Sequence, residues 1–188
     1  MNLKRAQKGV GMMEVLVALL LLALGVLGFV GLQLRAVEAT SEGFNRIQAT
    51  NIARDLAEKI KINNSAAALA IYRTSLQNTT AVQNTSATLQ TKCYSSFCTP
   101  AEKAQFDSYA TYQVAQNAGM QVTMNDCPET ANKRSCIYVS WGKTQPTNTT
   151  TTTDQTACTT SSSTTKSFSY VDDSKCVVLE AYTVQELS

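Results

Sequence analysis

The residues able to do chemistry in this chain are few and fall in two places. Six cysteines, Cys93, Cys98, Cys127, Cys136, Cys158 and Cys176, lie in the second half. One carboxylate, Glu14, stands at the start of an uncharged run, Val15–Leu32, VLVALLLLALGVLGFVGL. There is no histidine, so the commonest general base and metal ligand is missing. The cysteines are spaced C-x4-C, C-x8-C and C-x17-C, with no C-x-x-C knuckle. Zinc and thioredoxin-like sites use that closer pairing. The set therefore reads as disulfides formed in an oxidising compartment. Many connectivities are open to six cysteines. The shortest loops pair Cys93 with Cys98, Cys127 with Cys136 and Cys158 with Cys176, and these are preferred. No nucleophile–base arrangement, glycine-rich phosphate loop or metal-ligand spacing is present. The expectation is a protein that is not an enzyme and holds no cofactor or metal.

The elements that place these residues start with the apolar run. Its 18 residues span ~27 Å as a helix, close to the ~30 Å hydrocarbon core of a bilayer. A helix apolar on every side does not suit water. Lys4, Arg5 and Lys8 precede the run without an acid, while Arg35 is soon followed by Glu38. The positive-inside rule then keeps the N-terminus cytoplasmic and sends the rest, cysteines included, to the periplasm. A cleaved secretory signal has an apolar region of roughly 7–15 residues and an A-x-A-like site; this run is longer and continues without that break. Glu14 does not fit a plain anchor, because a carboxylate entering hydrocarbon costs about 2.5 kcal/mol or more. Net charge is +2, and without the three leading cations the balance is 13 basic to 14 acidic. Nothing basic enough to attract nucleic acid is left.

Past Leu34 the pattern turns amphipathic at Val37, Phe44, Ile47, Ile52, Leu56 and Ile60, with Asn63-Asn64 as a stop. One helix is expected from about Val10 to about Ile62, ~80 Å long. Its second half would lay one face on a globular head. Gly25, Gly28 and Gly31 recur every third residue, which suits close packing between membrane helices or a soft spot in the helix. A second helix is expected at Ser65–Leu76, and a loop at the polar stretch Gln77–Lys92. Thr99-Pro100-Ala101-Glu102 has the form of a capping box with proline at the first helical position, and Gly119 of a stop. Strands are expected at Met120–Met124, Cys136–Trp141, Phe168–Val171 and Cys176–Val184. The last two would form a hairpin through Asp172-Asp173-Ser174-Lys175. The Thr- and Ser-dominated tract Thr144–Lys166 reads as a surface loop, with O-glycan attachment or receptor contact as sharper readings. The fold class is α+β: a long N-terminal helix packed on a small antiparallel sheet.

The stretch Lys8-Gly9-Val10-Gly11-Met12-Met13-Glu14-Val15-Leu16-Val17-Ala18-Leu19-Leu20 resembles the type IV prepilin motif. It has a short basic leader ending in Gly, Glu at the fifth mature position, and an apolar helix. Val10 and Met12 depart from the Phe and the small hydroxyl residue usual at the first and third mature positions. The resemblance implies a cytoplasmic leader at 1–9, cut after Gly9 by a prepilin peptidase. It also implies an N-methylated Val10, a filament-core half-helix at 10–34, an amphipathic half at 35–62, and a head at 63–188. Glu14 would form the assembly salt bridge with the amino terminus of a neighbouring subunit. The segment ARDLAEKIKINNSAAALAIY, Cys98 to Glu102 with Ala104 and Asp107, and Ile137–Trp141 resemble the minor pilins of this superfamily. The implied partners are the peptidase, other minor pilins and the major pilin, the inner-membrane assembly platform and the lipid bilayer. The implied role is priming of pilus assembly, with adhesion or twitching motility. A minor pseudopilin of a type II secretion system, or a signal-anchored periplasmic binding module, is the alternative.

Overall fold

A 51-residue helix, α1 (Met12–Ile62), opens the fold. The computed structural model describes residues 11–83, 85, 87–128, 134–151, 154–162 and 167–181. Gly9, Val10, the leader and the part of the last expected strand beyond Ala181 lie outside the described residues. The chain divides into two compact units, one ending at Phe44 and one starting at Asn45.

In the first unit, no residue from Gly11 to Phe44 is buried. An 18-residue window of α1 reaches a mean hydropathy of 2.9, so the helix is long and apolar enough to cross a membrane. A Cβ added at Gly25, Gly28 or Gly31 would meet nothing within 4 Å.

In the second unit the same helix is amphipathic. Ala49, Ile52, Ala53, Leu56 and Ile60 are buried, following the i, i+3/i+4 spacing of one face. They join a core with Ala68, Tyr72 and Leu76 of α2 (Ala66–Gln77). Ser65 caps α2 through its side chain to the Ala68 amide. Helix α3 (Thr79–Gln83) and helix α4 (Ala87–Ser95) follow, and then α5 (Pro100–Asn117). Thr99 and Glu102 form the capping box in full, each side chain bonding the other's backbone amide. Gly119, at φ +68°, ends α5 in the left-handed conformation that glycine adopts at no steric cost.

The polar stretch Gln77–Lys92, expected as a loop, instead holds α3 and most of α4. Its helices are selected by tertiary contact rather than by an apolar stripe. Val82 is buried, and Gln83 donates to the hydroxyl of Tyr112 on α5.

Two three-stranded sheets complete the head. In the first, β2 (Ser135–Trp141) lies between β1 (Met120–Asp126) and β6 (Cys176–Ala181), antiparallel to both. All seven β2 residues are buried because both faces are covered. Ile137, Val139 and Trp141 join the helical core, while Cys136 and Tyr138 join a second cluster with Cys127, Cys158 and Cys176.

The second sheet corrects two expectations. β3 (Gln145–Thr149) and β4 (Ala157–Ser162) pair in parallel, and β4 pairs antiparallel with β5 (Ser167–Tyr170). The described part of the Thr/Ser tract is thus largely strand, with Ala157, Cys158, Thr159 and Ser161 buried. β-branched Thr suits a pleated surface, and its buried hydroxyls find partners: Thr159 donates to Asn148 Oδ1 at 3.0 Å, and Asn148 donates to Ser161 at 2.9 Å. The expected hairpin is also not formed. Asp173 turns the chain at φ 59°, but β5 and β6 belong to different sheets. The fold is α+β, with a long apolar N-terminal helix, an antiparallel sheet and three disulfides.

Candidate functional site

Glu14 lies in the first turn of α1, where a negative charge complements the helix dipole. Its amide donates to Gly11 O at 2.9 Å. The side chain is exposed, on a stripe shared with Val15, Ala18, Leu19 and Leu22. Among the described residues no cation pairs with it. Arg35, the next described cation along α1, pairs with Glu38 at 3.4 Å, one turn away. The helix therefore presents one carboxylate at the head of an exposed apolar surface and supplies nothing of its own to neutralise it. Gly9 and Val10, the processing residues, lie outside the described residues.

The six cysteines form three bridges that join neighbours in chain order: Cys93–Cys98, Cys127–Cys136 and Cys158–Cys176. Cys127–Cys136 ties the residue after β1 to β2, next to their last paired residues. Cys158–Cys176 joins β4 of one sheet to β6 of the other. Both are buried around the Tyr138 ring, whose hydroxyl pKa burial pushes upward. Cys93–Cys98 joins the end of α4 to the start of α5 and is only partly buried. No cysteine is free. Among the described residues no group of three or more His, Cys, Asp or Glu side chains could hold a metal ion.

A buried polar node joins three helices of the head. Asp107 on α5 is 2% exposed; it accepts from the Tyr72 hydroxyl at 2.9 Å and from Lys103 Nζ. Burial, with the Asp107 charge adding to it, holds the Tyr72 pKa well above its usual range. Asn63, just past α1, donates to Pro100 O at 2.8 Å. These bonds lock α2 and the end of α1 onto α5. The available signal was the spacing of Ala104, Asp107, Thr111 and Ala115, which puts an acid on the buried stripe of α5. Nearby, Lys92 pairs with Glu102 at 2.6 Å. That bond and the Thr99 amide and hydroxyl hold the Glu102 carboxyl down at about 2. This arrangement does packing and charge pairing; it has no nucleophile beside a base.

The family described as Tt1218-like, type IV pilin Tt1218, matches residues 31–109. The matched stretch runs from the last glycine of the apolar segment through α2, α3 and α4 into α5, and it includes the Cys93–Cys98 bridge. It covers less than half of the chain. The match supports the type IV pilin superfamily, a structural rather than catalytic class whose members assemble with one another. No curated protein matches, and no solved structure matches.

Proposed function

We propose that this chain is a minor type IV pilin similar to PilV, the type IV pilus modification protein. It enters the inner membrane with its N-terminus in the cytoplasm. A prepilin peptidase cuts after Gly9, and the new Val10 amine is methylated. The mature subunit has a core half-helix at 10–34, an amphipathic half at 35–62 and a head at 63–188. With other minor pilins it primes assembly of the major pilin on the inner-membrane platform, and in the pilus it supports adhesion and twitching motility.

The observation that carries this reading is the Glu14 carboxylate on an apolar surface that, among the described residues, offers it no cation. Cleavage after Gly9 creates an amine within a turn of that position on every subunit. In a filament, the amine of one subunit can meet Glu14 of its neighbour. An ion pair in apolar surroundings is poorly screened, and leaving either member alone is costly. The pair therefore favours one axial register and disfavours the rest.

The test is the N-terminal sequence and mass of the subunit recovered from sheared surface filaments. The expected product begins at methylated Val10. Recovery only from the membrane fraction with the leader retained contradicts the reading. Recovery of processed protein in secretion pseudopili, and never in surface pili, places it in the pseudopilin class.

A further inference from the structure

The three disulfides sit in different surroundings. The sulfurs of Cys127–Cys136 and Cys158–Cys176 lie in one buried cluster with Tyr138 and Val178. Cys93 and Cys98 are partly exposed, and the short ring they close carries Tyr94 and Phe97, 88% and 99% exposed. The elements joined differ as well. Cys158–Cys176 links two sheets, whereas Cys93–Cys98 links α5 to α4, a helix that buries none of its residues. The ties between α4 and α5 besides the bridge include the Lys92–Glu102 ion pair and the edge of Tyr94 against the Phe106 ring, centroids 6.4 Å apart. The start of α5 has independent support from the Thr99–Glu102 capping box and from Asn63 on Pro100 O.

We infer that Cys93–Cys98 is a thiol-accessible latch in an otherwise reduction-resistant head. A dithiol, such as the paired cysteines of a thiol–disulfide oxidoreductase, opens it ahead of the other two bridges. Opening frees α4 from α5 and dissolves the ring that displays Tyr94 and Phe97. A thiolate of the dithiol attacks Cys98 Sγ; the mixed disulfide forms as the Cys93–Cys98 bond breaks, and Cys93 leaves as a thiolate that takes up a proton. The second sulfur of the dithiol then closes on the first and releases Cys98. Two electrons pass to the bridge, and the dithiol becomes a cyclic disulfide. Exchange of this kind depends on access to the attacked sulfur, and access is what separates the bridges here. None of the residues of α4 is fully buried, and a surface ion pair, a ring contact and the Gln90 bond to Thr85 O at 3.0 Å each add little to holding it against α5 once the bridge is open.

The experiment exposes the full-length protein in detergent to graded dithiothreitol, quenches with N-ethylmaleimide, and reads each cysteine by peptide mass spectrometry beside limited proteolysis. Cys93 and Cys98 are expected to label at least about tenfold faster than the other four, with new cleavage within Ala87–Cys98 appearing in step. The Cys93→Ser/Cys98→Ser double variant is expected to be cut there without reductant while its two remaining bridges stay closed. Simultaneous labelling of all six cysteines overturns the inference. So does prompt labelling of Cys93 and Cys98 with α4 still resistant to protease. Because the labelling is read on the unaltered chain, it decides the matter even where the double variant folds poorly.

Discussion

Residues Met12–Phe44 and residues Asn45–Ile62 share one helix and use their apolar side chains in opposite ways. The first stretch is apolar on every side from Val15 to Leu32 and buries none of its residues; the second confines Ala49, Ile52, Ala53, Leu56 and Ile60 to one face and buries all five. Both stretches are helical, and what separates their use of apolar side chains is patterning. A stripe specifies a packing partner within the chain. A cylinder of Leu and Val specifies an apolar surrounding, whether lipid or other helices, and leaves its supply to something outside. Glu14 extends the contrast to charge. Asp107 in the head is buried with two partners, while Glu14 is exposed on an apolar surface with none among the described residues.

The sharpest way to break this comparison is truncation on each side of it. Leu56→Ala in the detergent-solubilised protein is expected to lower the unfolding free energy of the head by about 2–5 kcal/mol. Leu21→Ala should stay within about 0.5 kcal/mol in the same chemical denaturation. Similar losses at both positions would show that the exposed stretch packs after all. Replacing Cys158 and Cys176 by Ser is expected to cost about 2–4 kcal/mol, because it unties the two sheets. The Cys93→Ser/Cys98→Ser pair should cost less, since its loop is shorter and α4 contributes nothing buried. A smaller effect, about 1 kcal/mol, is expected for Thr99→Ala, which removes one half of the capping box; a thermal melt detects it.

The smallest effect is in pH. The Glu102 carboxyl is held at about 2 against an ordinary 4.5, so its folded pKa is depressed. Its contribution is complete above 4.5 and is lost as the pH falls through about 2. Melts over that interval should show a decline that Glu102→Gln reduces. An identical decline in the variant would mean that the Lys92 and Thr99 bonds do not set this carboxyl.

How much of this was legible in the sequence follows the same division. The long helix, the Thr99–Glu102 cap and the Gly119 stop could be read because each is a local rule written in adjacent residues. β2 could be read from the alternation of Ile137, Val139 and Trp141, although its second buried face needed the disulfide cluster to be known. The Thr/Ser tract reads as loop in the sequence because its interior is polar, and it forms strands instead. Thr159 and Ser161 are buried through bonds to Asn148, and no hydrophobicity pattern carries that information. Gln77–Lys92 reads as loop for a related reason: Val82 is buried and Gln83 is held by Tyr112 of α5, which follows later in the chain. Asp172–Lys175 was correctly a turn, but whether a turn closes a hairpin or passes between sheets depends on which strand each arm finds. For the candidate site, Glu14 stood out by its cost in hydrocarbon, whereas Asp107 did not, because its partners Tyr72 and Lys103 come together only in the fold.

The central claim is that Glu14 is made for a partner outside its own chain. The most direct measurement is the amount of Glu14→Val subunit in sheared pili, set beside its cleavage after Gly9 in whole cells. The account predicts processed subunit at normal levels in the membrane and strongly reduced levels in the pili. Normal incorporation of the variant would contradict it.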